Sequence, residues 1–223
     1  MALSDKKILE AKEAGDIIIT PFDERNLSTA SYDVTLGRYF FAEKSPEHFQ
    51  HIYNPYDQVN VERIWGTEAL EAKSAKEIFK HYNFSFKGIK EEDEVIVLEP
   101  GETILAHTNE YIGGRNHITT MMKARSSLGR NFIEVCKCAG WGDVGFVNRW
   151  TMEITNNSQH YAIPLVVGRR IAQIVFFETG EILDKDYVSS GKYQTDPDFE
   201  SLQKSWNPQM MLPQMYNDFE TKE

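Results

Sequence analysis

The chain has 223 residues, 41% of them hydrophobic and 12% aromatic, with ordinary glycine and proline content. That supplies one large domain with a packed core and excludes the fibrous and disordered classes. Thirty-four acidic against 24 basic residues give a formal net charge of -10, so the surface repels DNA, RNA and anionic lipid, and any phosphate site must be local.

Ser4 as a cap, Ile8, Ala11 and Ala14 at helical spacing, and Gly15 as a stop predict a helix over residues 4–14. Short β-like runs follow: Ile17 to Ile19, Ser31 to Leu36, Tyr39 to Ala42, Val95 to Leu98, Ile104 to His107, Ile118 to Met122, Phe132 to Val135, Trp150 to Ile154, Ile163 to Val167 and Ile171 to Phe177. Turn residues at short intervals between them point to a mainly β protein, a sandwich or jelly-roll with a few short helices, rather than a parallel α/β sheet. One domain, 1–223, accounts for the whole. Residues 44–93 interrupt the β rhythm and read as an insertion, helical near Glu68 to Phe79. The tail from about residue 191 carries a short helical stretch, Asp198 to Trp206, then Pro208 and Pro213, and is expected to wrap over a surface.

No signal-like start and no run of about 18 apolar residues is present, which favours a soluble protein of the cytoplasm with no membrane partner. Cys136 and Cys138 are separated by one residue in what reads as a strand, a poor disulfide geometry. Without H-x-E or C-x-x-C, packed, reduced thiols are preferred over a metal site.

Chemistry concentrates in KARSSLGRNFIEVCKCAGWGDVGFVNRWTMEITNN, residues 123–157. Arg125, Ser126, Ser127 and Arg130 put two guanidiniums and two hydroxyls into six residues. They form either an anion pocket or a turn whose arginines pair with acidic neighbours. Asp143 lies among Gly140, Gly142 and Gly145, as a hairpin residue or as an acceptor for a sugar hydroxyl. In the strand, alternation places Trp150, Met152 and Ile154 on one face and Thr151, Glu153 and Thr155 on the other. Glu153 is then a solvent-facing carboxylate or, if that face lines a pocket, the general acid/base.

Together these segments resemble the dCTP deaminase family of the dCTP deaminase and dUTPase superfamily. The shared pattern is R-S-S-L-[AG]-R, then A-x-x-x-D-x-G-[FW], then a glutamate ten residues after the aspartate, and it is matched by Arg125 to Arg130, Ala139, Asp143, Gly145, Phe146 and Glu153. Plain dUTPases carry an apolar residue at the glutamate position. Ser31, Asp33, Leu36 and Gly37 match the family's S-x-D-x-x-L-G segment, GRRIAQIVFFE its late strand with Gln173, and GKYQ at 191–194 the start of its phosphate-covering tail. Gly140 and Trp141, where monofunctional deaminases tend to have H-R, look more like the bifunctional type. TDPDFES after Gln194 departs from the family's tail.

The resemblance implies a dUTPase-like distorted jelly-roll, a homotrimer with sites shared between subunits, and hydrolytic deamination of dCTP at C4 in pyrimidine deoxynucleotide synthesis. That reaction gives dUTP and ammonia, continuing in bifunctional members to dUMP and pyrophosphate. Glu153 is implied as proton shuttle, with water held by the Ser126 hydroxyl and the Ala139 carbonyl. Substrate contacts are implied for Arg125, Ser127, Arg130, Gly140, Trp141, Asp143, Gln173, Lys192, Tyr193 and Gln194. Mg²⁺ is expected only on the triphosphate, no zinc at the base, and dTTP as an inhibitor. Two other readings use the same pocket: a dUTP diphosphatase without deaminase activity, which would tolerate Glu153→Gln, and a non-catalytic nucleotide sensor. A modified cytosine also stays open as substrate.

Overall fold

A computed structural model describes residues 1–46, 51–83, 85–183, 186–194, 198–218 and 220. Helix α1 (Asp5–Ala14) starts where the Ser4 hydroxyl accepts the Lys7 amide, and stops at Gly15, whose φ of 84° lets its amide reach back to Ala11 and Lys12. The remaining helices are α2 (Gln58–Trp65), α3 (Ala75–Tyr82), the four-residue turns α4 (Ser126–Gly129) and α5 (Tyr187–Ser190), and α6 (Phe199–Ser205).

The strands are β1 (Ile17–Thr20), β2 (Leu27–Ser28), β3 (Ser31–Ala42), β4 (Leu70–Glu71), β5 (Lys73–Ser74), β6 (Glu94–Leu98), β7 (Thr103–Gly114), β8 (Ile118–Ala124), β9 (Ile133–Val135), β10 (Trp141–Gly142), β11 (Val147–Asn156), β12 (Ile163–Val166) and β13 (Arg170–Glu178). All strand pairings among the described residues are antiparallel. The large sheet runs β10-β8-β13-β3-β7-β11-β9, with β1 added on β7 and β2 and β4 on β3; a second sheet runs β12-β6-β5. The mainly β expectation holds.

The core lies between the sheets. Trp150, Met152 and Ile154 of β11, Ile104, Ala106 and Ile112 of β7, and Ile174 and Phe176 of β13 meet Ile96, Leu98 and Leu165 of the smaller sheet in one buried cluster. β11 reads as alternating because Trp150, Met152 and Ile154 pack inward while Arg149, Thr151 and Glu153 are only half-buried.

Several local expectations are corrected. Ser31–Ala42 is one strand rather than two. Its register against β7 shifts between Leu36 and Phe40, around Gly37. A Cβ on Gly37 would stand inside the imidazole of His107, so only glycine fits there. The helix expected near Glu68–Phe79 begins at Ala75; the first half forms β4 and β5. Residues 58–65, unassigned from sequence, form α2 because the Asp57 carboxylate caps it by accepting the Val59 amide. Cys136 and Cys138 are free thiols but not strand residues: Cys136, Lys137 and Cys138 have φ of 69°, 37° and 68°, three successive left-handed steps closed by an Ala139 amide donating to the Cys136 carbonyl at 2.5 Å. Composition reads such a turn as strand because its residues are apolar or β-tolerant, whereas its backbone is set by the tertiary path.

The tail wraps as expected. Leu202 and Met211 are buried, the latter with Phe41 and Leu105 in a second cluster on the outer face of the large sheet.

Candidate active site

The outer face is ordered by the β7–β11 ladder. Directly opposed residues share a face, and the rungs are Arg149 with Tyr111, Thr151 with His107, and Glu153 with Leu105. The tail lies along these rungs in turn. Trp206 sits 4.6 Å under the Arg149 guanidinium and 4.8 Å from the His107 ring, and Met211 packs on Leu105. His107 is buried, its Nε2 accepting the Tyr39 amide at 3.3 Å and its Nδ1 within 2.8 Å of the Thr108 carbonyl. Burial pushes the imidazole down to about 4, so a neutral ring donating from Nδ1 fits both contacts.

Between β11, the loop after β9 and the tail is a cavity of about 380 Å³. It is lined by Trp150, Thr151 and Glu153 of β11, by Ala139, Trp141, Gly142, Asp143 and Phe146 of the segment before it, by Leu105 of β7, and by Tyr187, Tyr193, Met211 and Pro213 of the tail. The carboxyl of Glu153 is raised from its ordinary value, first by burial, an effect opposed by the positive charge of Lys137. Glu153 and the Ala139 loop are tied through backbone: the Cys136 amide donates to the Glu153 carbonyl at 2.9 Å and starts the left-handed turn that delivers Ala139.

The glycines here are required by close approach. A Cβ on Gly140 would strike the Met122 carbonyl, to which this segment is bound by a Met122 amide donating to the Gly140 carbonyl at 2.7 Å. Gly145, at φ 95°, turns the chain back after Asp143, which stands exposed at the cavity wall. Trp141 is 57% exposed and stacks on Phe177.

Of the residues singled out from sequence, Glu153, Ala139, Trp141, Asp143 and Tyr193 line this cavity, and Gly140 lies within the same wall segment. Arg125, Ser126, Ser127, Arg130 and Gln173 are not among its lining residues. Arg125 instead pairs with Asp33, Nε to Oδ2 3.2 Å, and Arg170 reaches the same oxygen at 3.2 Å. Gln173 is the strand partner of Asp33 across β13–β3, so it belongs to this second patch. Ser126, Ser127 and Arg130 are exposed beside it on α4 and its end. Of the two readings of the arginine cluster, the pairing with an acidic neighbour is seen at Arg125. Gln194 is buried, accepting the Val147 amide at 2.7 Å, and Lys192 pairs with Asp218.

Sequence reasoning missed Thr151, Tyr187, Met211 and Pro213 in the cavity, and Arg170. The tail's Pro-rich, Met-rich composition signalled wrapping but not where it would land. Glu110 was missed too: it is buried, accepts the Thr35 amide and hydroxyl at 2.9 and 2.8 Å, and has its carboxyl raised by burial.

A family model described as dCTP deaminase-like matches residues 2–179. A Methanopyrus kandleri protein named dCTP deaminase, dUMP-forming, is 33% identical over 200 residues, 87% of this chain and 91% of its own length. A Hydrogenobaculum protein of the same name is 35% identical over 184 residues, 82% and 85% of the two lengths. Among solved structures, the 2'-deoxycytidine 5'-triphosphate deaminase of Agrobacterium tumefaciens superposes with a TM-score of 0.54 at 17% identity, covering 82% of this chain and 50% of that one, a likeness of fold. With the family model matching residues 2–179 and relatives above 30% identical over most of both lengths, the chain belongs to the dCTP deaminase-like family.

Proposed function

We propose that the protein hydrolyses dCTP to dUMP in two steps, deamination at C4 of cytosine followed by cleavage at the α-phosphorus. The observation that carries the first step is Glu153: a carboxyl made reluctant to ionise by burial, lining a cavity that Ala139 also lines. A carboxyl poised in this way alternates between base and acid without a metal. It takes a proton from water as the oxygen bonds to C4 and gives it to N3, then takes the remaining proton from the new C4 hydroxyl and gives it to the amine, so that C4–N breaks to release ammonia and leave uracil. The Ala139 carbonyl and the Ser126 hydroxyl hold that water.

Ser126 and the guanidiniums lie outside the cavity of a single chain, which supports a homotrimer in which a neighbour's Arg125, Ser126, Ser127 and Arg130 complete each site. The arginines then meet the phosphates with paired donors. Mg²⁺ enters as counterion of the triphosphate, and Asp143 takes the deoxyribose hydroxyl and, in the second step, orients water toward the α-phosphorus, releasing pyrophosphate. Gly140 and Trp141, and the dUMP-forming relatives, support this second step.

The test is incubation with dCTP and Mg²⁺, chromatography of nucleotides and an ammonia assay, with Glu153→Gln alongside. The expectation is dUMP and ammonia from the natural chain, and a loss of roughly 10²- to 10⁴-fold in deamination for Glu153→Gln. Accumulating dUTP would confine the activity to the first step. Unchanged dCTP with cleaved dUTP would overturn the deaminase reading, and tight binding without turnover of either would indicate a sensor.

A further inference from the structure

The family model ends at residue 179, yet the tail beyond it supplies four of the cavity's lining residues: Tyr187, Tyr193, Met211 and Pro213. From Pro208 to Asn217 this tail is built of two single 3-10 turns, Pro208–Met211 and Met215–Asn217, too short to hold their own shape. Packing has to place them, and the 44–93 insertion supplies much of it. Helix α2 ends at Gly66, whose φ of 84° turns the chain and whose amide donates back to the Glu62 carbonyl at 2.8 Å. The chain around that turn is fixed on both sides. The Lys44 amide donates to the Ile64 carbonyl at 2.8 Å before it, and Leu70 and Glu71 pair with Phe40 and Tyr39 of β3 after it. From this rigid stretch Trp65 and Ala69 pack on the cluster of Phe41, Leu105 and Met211, and the Thr67 carbonyl accepts Gln209 Nε2 at 3.2 Å. Just past Met211, Pro213 lines the cavity, and the Gln214 amide donates to the hydroxyl of Tyr193, another lining residue, at 3.3 Å.

We propose that Trp65 is a positioning residue of the active site: with the Thr67 carbonyl it makes the insertion a clamp on tail residues Gln209–Leu212, and the clamp sets where Met211, Pro213 and Tyr193 stand in the cavity. This rests on the deaminase reading for the choice of dCTP as the nucleotide that fills the cavity. Among the described residues, none of the insertion lines the cavity, so the insertion acts on the nucleotide only through the tail. Glu153 stands on β11, outside the clamp, so loosening the clamp weakens nucleotide binding more than it slows chemistry. A tail seated for only a fraction of the time lowers the apparent affinity by that fraction.

The experiment compares Trp65→Ala, Trp65→Phe and Gln209→Ala with the natural chain by amide hydrogen exchange, and by kcat and KM for dCTP with Mg²⁺. The Kd of dCTP is measured by calorimetry with each substitution added to Glu153→Gln. Trp65 is half-buried, so Trp65→Ala should speed exchange of residues 209–217 by roughly tenfold or more and leave the β7 and β11 amides unchanged. Kd and KM should rise about threefold or more, with kcat changed by less than about twofold. Trp65→Phe, which keeps a ring on the cluster, should stay near the natural values. Gln209 is exposed, so Gln209→Ala removes the tie to Thr67 without touching the core and keeps the test open should Trp65→Ala fail to fold. It should change exchange and Kd in the same direction, by roughly two- to fivefold in exchange. Tail exchange that stays unchanged in the folded variants, or quickened exchange with dCTP affinity and KM unchanged, overturns the proposal. Quickened exchange and weakened dCTP binding, in a natural chain that releases no ammonia from dCTP, would leave the clamp standing and sink the deaminase reading alone.

Discussion

Replacing Glu153 with Gln should make the protein more stable as well as inactive, and the gain should grow with pH. Burial raises the Glu153 carboxyl above its ordinary value of 4.5. Between that ordinary value and the raised one, the folded chain keeps a proton that the unfolded chain has lost. Stability therefore falls with rising pH across this window, by about 1.36 kcal/mol per pH unit for one such group. Glutamine is close in shape to the protonated acid and does not titrate, so the variant lacks that loss. The difference between variant and natural chain should be flat below about pH 4, climb at up to roughly 1.4 kcal/mol per unit through the window, and level off once the carboxyl has ionised in the folded state. Lys137, whose charge favours the ionised form, narrows the window but does not reverse the sign. Urea unfolding followed by tryptophan fluorescence, at half-unit steps from pH 4 to 9 and one fixed protein concentration, measures this. A difference that is constant across the range, or that shrinks with rising pH, would refute a desolvated carboxyl at this position.

Gly37→Ala drives a methyl into the His107 ring and should destabilise by about 1–3 kcal/mol in chemical denaturation. If that clash is the cause, adding His107→Ala, which empties the space, should cost less in the Gly37→Ala background than in the natural chain. Trp206→Ala removes the ring between Arg149 and His107. Limited proteolysis should then cut the tail beyond residue 180 sooner, and KM for dCTP should rise several-fold, while the fluorescence-detected unfolding of the core shifts little.

The β scaffold was legible where, as in β11, one face packs inward and prints apolar residues at every second position; β7, buried on both faces, reads instead as a short apolar run. The early helix was legible because Ser4 and Gly15 mark both ends with side-chain chemistry. The left-handed turn at Cys136–Cys138 was not, since three non-glycine residues there carry no local signal and the path is imposed by the Glu153 and Gly140 hydrogen bonds on either side. Nor was α2 read, although Asp57 before a run with Val59, Val61 and Ile64 is a usable cap signal; the surrounding charged passage masked it. In the site, Glu153 was placed on the correct face by alternation alone, but its role needed the family pattern. That Met211 would reach the cavity depends on contacts more than fifty residues away in sequence, Phe41 and Leu105 among them, and no local pattern encodes such contacts.

The three left-handed steps at 136–138 form a fragment of mirror-image helix built from ordinary L-residues. In a saturation library sorted for thermal survival, glycine and asparagine should therefore be enriched at Lys137 and Cys138, whose side chains are exposed, while Cys136, packed against Met122, should resist change. A scoring scheme that treats glycine as damage would misrank these two positions, and the misranking would itself mark where the backbone bends against its natural hand.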